Sequence, residues 1–371
     1  MKVDARTMDD QEGHIGLRQL RNTKDPRTVD ESEVLLEKRP TVNGMDTNTT
    51  WIDSLKTCIS PSLRTCVKYG FNVKNKLETY TQKDMNAMYP NPHGMNGIHE
   101  LTFFMVCCKY QTGEFIKNLM DTYTSEELKL NYRTLYAGQT AFMLCCIYQP
   151  GDVVKEMMKR YTKEELCIHA KGLSAYTAFM CSCIHQTSDV VREMMNTYSA
   201  EELNMTAVSQ SMHRHNDTFY CAGWNAFMLC CRHQSSELLI EMMDRYSVNE
   251  LGIDRPNSVG RTIFMCCCMY RGTTDVLEEL MKRYTSKELM LSHKTIDGAT
   301  SFMHCCAYQP DSVIEQMLDT YSNTELDIAQ LERNNYSALY HYLVTRPDVL
   351  PSYGTSATLR ARIRDRMDQP Y

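Results

Sequence analysis

The 371-residue chain has no apolar stretch of 18 or more residues, which excludes a membrane-spanning helix. Its first twenty residues hold no apolar h-region, so no secretory signal is expected there, and a reducing, cytoplasmic setting is expected. Positive charge is not in excess: 40 Lys and Arg stand against 46 Asp and Glu, a formal net charge of −6. Nucleic-acid binders carry a basic face, so no nucleic-acid partner is expected. Glycine is scarce, at 16 residues, and no glycine-rich phosphate loop can be formed from it. No nucleophile–base pair or other familiar catalytic motif is visible, so neither catalysis nor a cofactor is expected.

Cysteine, in contrast, is abundant. There are 17, and most stand as adjacent pairs: Cys107-Cys108, Cys145-Cys146, Cys230-Cys231, Cys267-Cys268 and Cys305-Cys306. Disulfide frameworks belong to small secreted domains, whereas a free thiol packs as a small apolar group. Neighbouring residues on a helix project about 100° apart, so a pair is poorly placed to chelate one ion. Matched cysteines in successive helices are expected about 10 Å apart, the helix-packing distance. No metal role is therefore expected. The cluster His213-x-His215 with Cys221 lacks a fourth ligand at a recognised spacing.

The pairs belong to a repeat. Phe-Met-x-Cys-Cys-x-Tyr recurs in variants with its Phe at Phe104, Phe142, Phe179, Phe227, Phe264 and Phe302, at spacings of 38, 37, 48, 37 and 38, and Leu339 continues the series. Tyr followed by Thr or Ser recurs at Tyr123, Tyr161, Tyr198, Tyr246, Tyr284 and Tyr321. Glu-Leu follows each time, at Glu127, Glu165, Glu202, Glu250, Glu288 and Glu325. A weaker earlier copy runs from Ser62 to Met85.

One unit shows how the residues fold. Phe142, Cys145 and Cys146, at i, i+3 and i+4, give a first helix one apolar face. Pro150 stops it in a loop, Gln149-Pro150-Gly151. Asp152 opens a second helix, as Asp189, Glu237, Asp275 and Ser312 do elsewhere. Val153, Val154, Met157, Met158 and Tyr161 form its apolar stripe. Thr162 and Glu165 have capping-box spacing, repeated in every unit, so a short third helical turn is expected in each. Gly138, Gly223, Gly260, Gly298 and Asn335 precede the next first helix at one matched position, which calls for a left-handed residue.

This pattern resembles the ankyrin repeat. Gly138-x-Thr140-Ala141-Phe142-Met143-x-Cys145-Cys146 aligns without a gap to Gly-x-Thr-Pro-Leu-His-x-Ala-Ala, and Val153-Val154-x-x-Met157-Met158 aligns to Val-Val-x-x-Leu-Leu. The unit of 37 or 38 residues exceeds the family's 33 or so, and the Tyr-Thr-x-x-Glu-Leu segment carries the difference. The resemblance covers residues 98–350 and implies an all-α, ankyrin-like helical repeat solenoid of six to seven units with degenerate terminal caps. Residues 51–97 would form the N-terminal cap and residues 1–50 a polar arm. Residues 351–371 form a basic tail, with Arg360, Arg362, Arg364 and Arg366 beside Leu359, Ile363 and Met367 at helical spacing. That tail reads as a capping helix or as a docking site for an acidic partner.

Two sets of residues are candidates for partner contact. Tyr110, Tyr148, His185, His233, Tyr270 and Tyr308 share one position near the end of the first helix, which the resemblance places along a concave binding groove. The alternative is a packed aromatic ladder. His213, Arg214 and His215 lie in an insertion of about 11 residues near Met205 to Ala222, and insertions in repeat arrays map to loops, often on the binding face. The function expected is a non-catalytic scaffold for protein partners. A structural component of a large assembly such as a viral particle, or a substrate adaptor for a modifying enzyme, remains open on sequence alone.

Overall fold

A computed structural model describes residues 88–90, 100–135, 137–210, 213–215, 218–220, 222–270, 272–344 and 354–368. The expected arm over 1–50 and the weak copy from Ser62 to Met85 lie outside the described residues. Among the described residues six helix pairs follow one another: α1 (Phe103–Tyr110) with α2 (Gly113–Thr122), α3 (Ala141–Tyr148) with α4 (Gly151–Arg160), and α5 (Ala178–His185) with α6 (Ser188–Thr197). Then come α7 (Ala226–His233) with α8 (Ser236–Arg245), the short α9 (Val248–Leu251), α10 (Ile263–Met269) with α11 (Thr274–Arg283), and α12 (Ser301–Tyr308) with α13 (Asp311–Thr320). A second short helix, α14 (Asn323–Leu326), precedes α15 (Ala338–Val344) and α16 (Gly354–Met367). The fold is helical, with two three-residue antiparallel ladders that the sequence pattern did not announce. One pairs β1 (Met88–Pro90) with β2 (Glu100–Thr102), and the other pairs β3 (His213–His215) with β4 (Thr218–Tyr220).

Each first helix starts at a side-chain cap. The hydroxyl of Thr102, Thr140, Thr177, Thr262 or Thr300, or the amide oxygen of Asn225, accepts from the backbone N–H three residues on. Such a cap stabilises a helix by about 1 kcal/mol. The residues that follow, such as Ala141 to Cys146, are all buried. The second helices bury only their stripe, Val153, Val154, Met157 and Met158 in α4. Gly151 belongs to that helix rather than to the loop, so Asp152 is its second residue, still within the turn where the dipole favours a carboxylate. A Cβ at Gly151 would stand 2.6 Å from Cγ2 of Val190, so the next unit's second helix packs where a side chain would be.

The capping boxes form as spaced. Glu127, Glu165, Glu202, Glu250, Glu288 and Glu325 each accept the backbone N–H of the Thr or Ser three residues before. Only two of these turns reach helical length, α9 and α14; the others are hydrogen-bonded turns. Every one ends on a left-handed residue, whatever its type: Lys129, Cys167, Asn204, Gly252, Met290 or Asp327. The next residue is buried in each case: Leu130, Ile168, Met205, Ile253, Leu291 or Ile328. Burial of that apolar residue sustains a conformation that costs a side chain roughly 1–2 kcal/mol. The glycine position before the first helix is left-handed as expected, at Gly138, Gly223, Gly260, Gly298 and Asn335. Ala175 holds the same place in the third unit with φ 63°.

Successive first helices pack more intimately than successive second helices. The cysteine pairs explain how. Matched thiols were expected a helix-packing distance apart, but the second cysteine of one unit meets the first of the next. The Sγ atoms of Cys231 and Cys267 are 3.3 Å apart. Cys108 pairs likewise with Cys145, Cys183 with Cys230 and Cys268 with Cys305, while Cys146 meets Ser182, which stands where a thiol would be. Staggered side chains reach across the gap that the helix axes leave.

Glutamines join the units a second time. The Gln149 amide donates to the Cys108 and Gln111 carbonyls at 2.6 and 3.0 Å. Gln186 does the same to Cys146 and Gln149 (2.8 and 2.9 Å), Gln234 to Cys183 and Gln186 (2.8 and 3.0 Å), and Gln309 to Cys268 and Tyr270 (2.8 and 3.1 Å). These carbonyls close the preceding first helix, where the helix itself offers no donor. On the second-helix layer, Arg160 reaches back to Asp121 at 2.5 Å and Arg283 to Asp244 at 2.6 Å. At the far end α16 buries Leu359 and Ile363, and Arg366 donates to the Leu318 and Tyr321 carbonyls at 2.6 and 2.7 Å. Arg362 pairs with Asp319 there.

Two outcomes are expected. Gln186→Ala strands two buried carbonyls and should lower unfolding stability in urea by about 1–3 kcal/mol; a loss under about 0.5 kcal/mol would show the ladder to be incidental. The pH response follows from the thiols. Burial raises Cys108, Cys145, Cys181, Cys183, Cys231 and Cys268, and raises Cys146 to about 12. Unfolded thiols ionise near ~8.5. Their contribution is therefore complete below that pH and is lost as pH rises toward the folded values. Each thiol that ionises only on unfolding adds roughly 1.36 kcal/mol per pH unit to the slope. Urea midpoints at pH 7 and pH 9.5 in a reducing buffer should differ strongly, and equal midpoints would refute the burial argument.

Candidate partner-binding face

The expected column sits at the C-terminal end of the first helices, where side chains leave the packed core. Tyr110, His185, His233, Tyr270 and Tyr308 are half-buried, and Tyr148 is 46% exposed. The sequence pattern placed these six in line but missed the residue just before each: Lys109, Ile147, Ile184, Arg232, Met269 and Ala307. The two cations among them organise the tyrosines. Lys109 Nζ lies 5.2 Å from the Tyr110 ring centroid and 5.7 Å from that of Tyr148, so it bridges two units. Arg232 lies 5.3 Å over the Tyr270 ring and donates to its hydroxyl at 3.2 Å. A cation over an aromatic face gains about 0.5–2 kcal/mol, more as water is excluded.

Burial sets the electrostatics here. It lowers Lys109 to about 8 and raises Tyr110 to about 12, the latter reinforced by Tyr148. It also raises Tyr148, Tyr308 and, most strongly, Tyr270, whose rise Arg232 and Arg261 partly oppose. His304 follows in the sixth unit, two residues after Phe302. Burial holds it at about 3, with Arg261 and His341 adding repulsion. His341 Nε2 faces Glu332 at 3.4 Å, and the Tyr336 and Tyr340 rings stack at 4.0 Å beside it. Tyr270, Arg261, Tyr308 and His304 thus form one neighbourhood spanning the fifth and sixth units.

His213, Arg214 and His215 are not on this strip. They form β3, facing Tyr220, Phe219 and Thr218 on β4, so the insertion is an extended hairpin rather than an irregular loop. Ser209 anchors its base: its backbone pairs with Trp224 and Gly223, and its hydroxyl accepts from Trp224 N–H. Among the described residues no three His, Cys, Asp or Glu converge as metal ligands, and no helix is long and apolar enough to cross a membrane. An open depression of about 430 Å³ between Tyr198 and Tyr246 lies in the second-helix layer, away from the strip.

These features define a class: a helical-repeat solenoid whose two-helix units are joined by a capped turn and a left-handed return. No known protein-family profile matches the chain, and no curated protein matches it in sequence. Solved structures similar to it include the following two. One is the Bdellovibrio bacteriovorus predatory endopeptidase Bd0816 in complex with immunity protein Bd3460, at 17% identity over 59% of this chain and 97% of the matched one, with a TM-score of 0.41. The other is the ankyrin repeat domain of Bcl-3, a member of the IkappaB family, at 13% identity over 64% of this chain and 92% of that domain, also with a TM-score of 0.41. The architecture rests on the helices, caps and turns described above.

Lys109 offers a test of the strip's energetics. Its folded value lies below that of a free lysine, so the fold disfavours its charge at neutral pH. Lys109→Met should raise stability at pH 7, by on the order of 1 kcal/mol once the lost ring contact is subtracted. Urea unfolding measures it, and a clear destabilisation would mean that the cation holds the fold together.

Proposed function

We propose that this chain is a non-catalytic scaffold that binds protein partners on its first-helix face. One observation carries the proposal: a half-exposed strip of aromatic and cationic side chains runs from Tyr110 to Tyr308 on a doubly tied core. Tyrosine and arginine are enriched among the few residues that carry most of the binding energy at interfaces. A strip fixed by packed helices gives up less entropy on binding than a loop does. The hairpin bearing His213, Arg214 and His215 adds a second contact to the same partner or to another. The cytoplasm fits the free thiols.

The test is the full chain as bait in extract from its native source, against the double variant Tyr148→Ala, Tyr308→Ala. Both side chains leave the core partly exposed, so circular dichroism and the urea midpoint should change little. The proposal expects at least one protein whose affinity falls about 30-fold or more with the variant, the loss of a strong anchor. Retention of every captured protein at unchanged affinity would overturn it.

A further inference from the structure

The junction between the third and fourth units departs from the others. It carries the long spacing between Phe179 and Phe227. There α5 and α7 pack as closely as first helices do elsewhere, but α6 and α8 touch less than any other neighbouring pair of second helices. Along their N-terminal parts the two are bridged, Ser188 to Gln234 at 3.0 Å and Arg192 to Glu241 at 2.7 Å. Toward their C-terminal ends they part around the open depression of about 430 Å³, walled by Met195, Asn196, Tyr198, Ala200, Arg245 and Glu250.

Two ties made at other junctions are missing here. Arg160 holds two carboxylates, Glu156 one turn back and Asp121 in the unit before, and Arg283 holds Glu279 and Asp244 in the same way. Arg245 stands at the matched position and, among the described residues, holds neither. Glu241, one turn back, is taken by Arg192, and the place of Asp121 and Asp244 is filled by Asn196, whose neutral amide accepts from Arg245 at 3.0 Å. The second tie joins a capping-box glutamate to the unit before: Glu165 accepts from Ser125, Glu202 from Lys163 and Glu325 from Ser286. Ala200 holds that place before Glu250 and has no donor to give, so Glu250 accepts from Ser247 alone, on one oxygen. Val248 leaves Glu288 in the same state, but Arg283 beside it has both of its acids. Cations without an acid occur elsewhere on this layer, Lys155 and Lys159 among them. What sets Arg245 apart is the depression beside it and the acids that its two counterparts hold.

We propose that this depression is a docking point for a partner protein, which sets an acidic side chain against Arg245 and a basic one against Glu250. The partner supplies the two groups that neighbouring units supply to one another elsewhere. A carboxylate matches the guanidinium fork with two parallel hydrogen bonds, which one amide oxygen does not offer. Hydrogen bonds from Ser247 keep the Glu250 carboxyl below its ordinary range, so that wall is negative and repels a phosphate. A small molecule is held where roughly 70–90% of its surface is buried. An open site suits side chains that stay attached to a larger body, whose surface rests on the rims of α6 and α8. The site lies in the second-helix layer, so it adds to the first-helix strip and does not depend on it.

The experiment is NMR of the full chain labelled at its methionine methyl groups, with the Met195 signal identified by its loss in Met195→Leu. The probes are three capped peptides: Gly-Glu-Gly-Lys-Gly, the same with Gln for Glu, and the same with Gln for Lys. The first should shift Met195 saturably, with a Kd on the order of 1 mM. Each of the others should bind about 5-fold more weakly, the scale of one exposed ion pair. Asn196→Asp restores the acid that matches Asp121 and Asp244, and Ala200→Lys restores the donor that matches Lys163. Each fills the site from within the chain and should weaken the first probe about 5-fold. Arg160→Gln, at the arginine that already holds two acids, should leave it within about 2-fold of wild type. No saturable shift at Met195, equal binding of the three peptides, or full affinity in Asn196→Asp would overturn the proposal. A Met195 shift on raising the protein concentration alone would assign the site to a second copy of this chain and overturn it as well. Tyr148 and Tyr308 lie in the other layer, so the test of the strip and this one succeed or fail separately.

Discussion

A side chain of one first helix must touch a side chain of the next, and the rest of the array is built to that step. Cys231 against Cys267, at 3.3 Å, is one such contact. The facing positions hold Cys or Ser from the first unit to the sixth. A leucine there would force the helices apart, and overpacking a core costs about 1–3 kcal/mol. The glutamines work only because of this spacing: a side chain of three rotatable bonds reaches the carbonyls that end the helix before it. The returns between units are held by the same step. Ile296 N–H donates to Val259 O, and Arg333 N–H to Asp297 O, at 3.0 and 2.6 Å. In such arrays each unit buries its core only against its neighbours, so stability is a sum over these interfaces.

Much of this was legible, because it is written locally and repeated. The 3.6 periodicity of Phe142, Cys145 and Cys146, the Thr–Glu boxes and the glycine column each concern residues within a few places of one another. What escaped notice depends on a partner one unit away. Gln149 and its counterparts look like loop residues until the carbonyls that they serve are seen. The thiol contact was misjudged because matched positions were compared, whereas staggered ones meet. Ala175 adopts the left-handed form that glycine takes elsewhere, because its neighbours fix the return whatever side chain is present. The hairpin within the insertion carried no signal beyond its length. On the candidate strip, the aromatic column was visible, but Lys109 and Arg232 were not singled out, since their position is apolar in the other units.

The fifth unit interrupts the glutamine ladder. Position 271 is Arg where the other units have Gln, and α10 ends one residue early, at Met269. The Thr273 hydroxyl lies 2.6 Å from both the Cys267 and Tyr270 carbonyls of its own unit. The same carbonyls also accept from the Gln309 amide of the sixth unit, so this helix end is tied both within its own unit and to the next. The demand comes from the carbonyls, whose orphaning costs about 1–3 kcal/mol, and a threonine hydroxyl and a glutamine amide both meet it here.

The same distinction bears on the charges. The absence of carboxylates from the first helices is in large part a folding matter. From α1 to α10 their opening turn is buried, and their closing turn presents carbonyl ends that an acid would repel by a few tenths to 1 kcal/mol. The cations need a separate cause. A helix C-terminus favours a positive side chain by a similar amount, yet Ile147, Ile184, Met269 and Ala307 occupy the place of Lys109 and Arg232 elsewhere. The fold therefore accepts an apolar residue there. Burial holds Lys109 near 8, more than two units below a free lysine, a cost that exceeds what the dipole returns at about 1.36 kcal/mol per unit. What accompanies the charge within the chain is an aromatic face: Lys109 lies over the Tyr110 and Tyr148 rings and Arg232 over that of Tyr270, contacts that an apolar residue does not make.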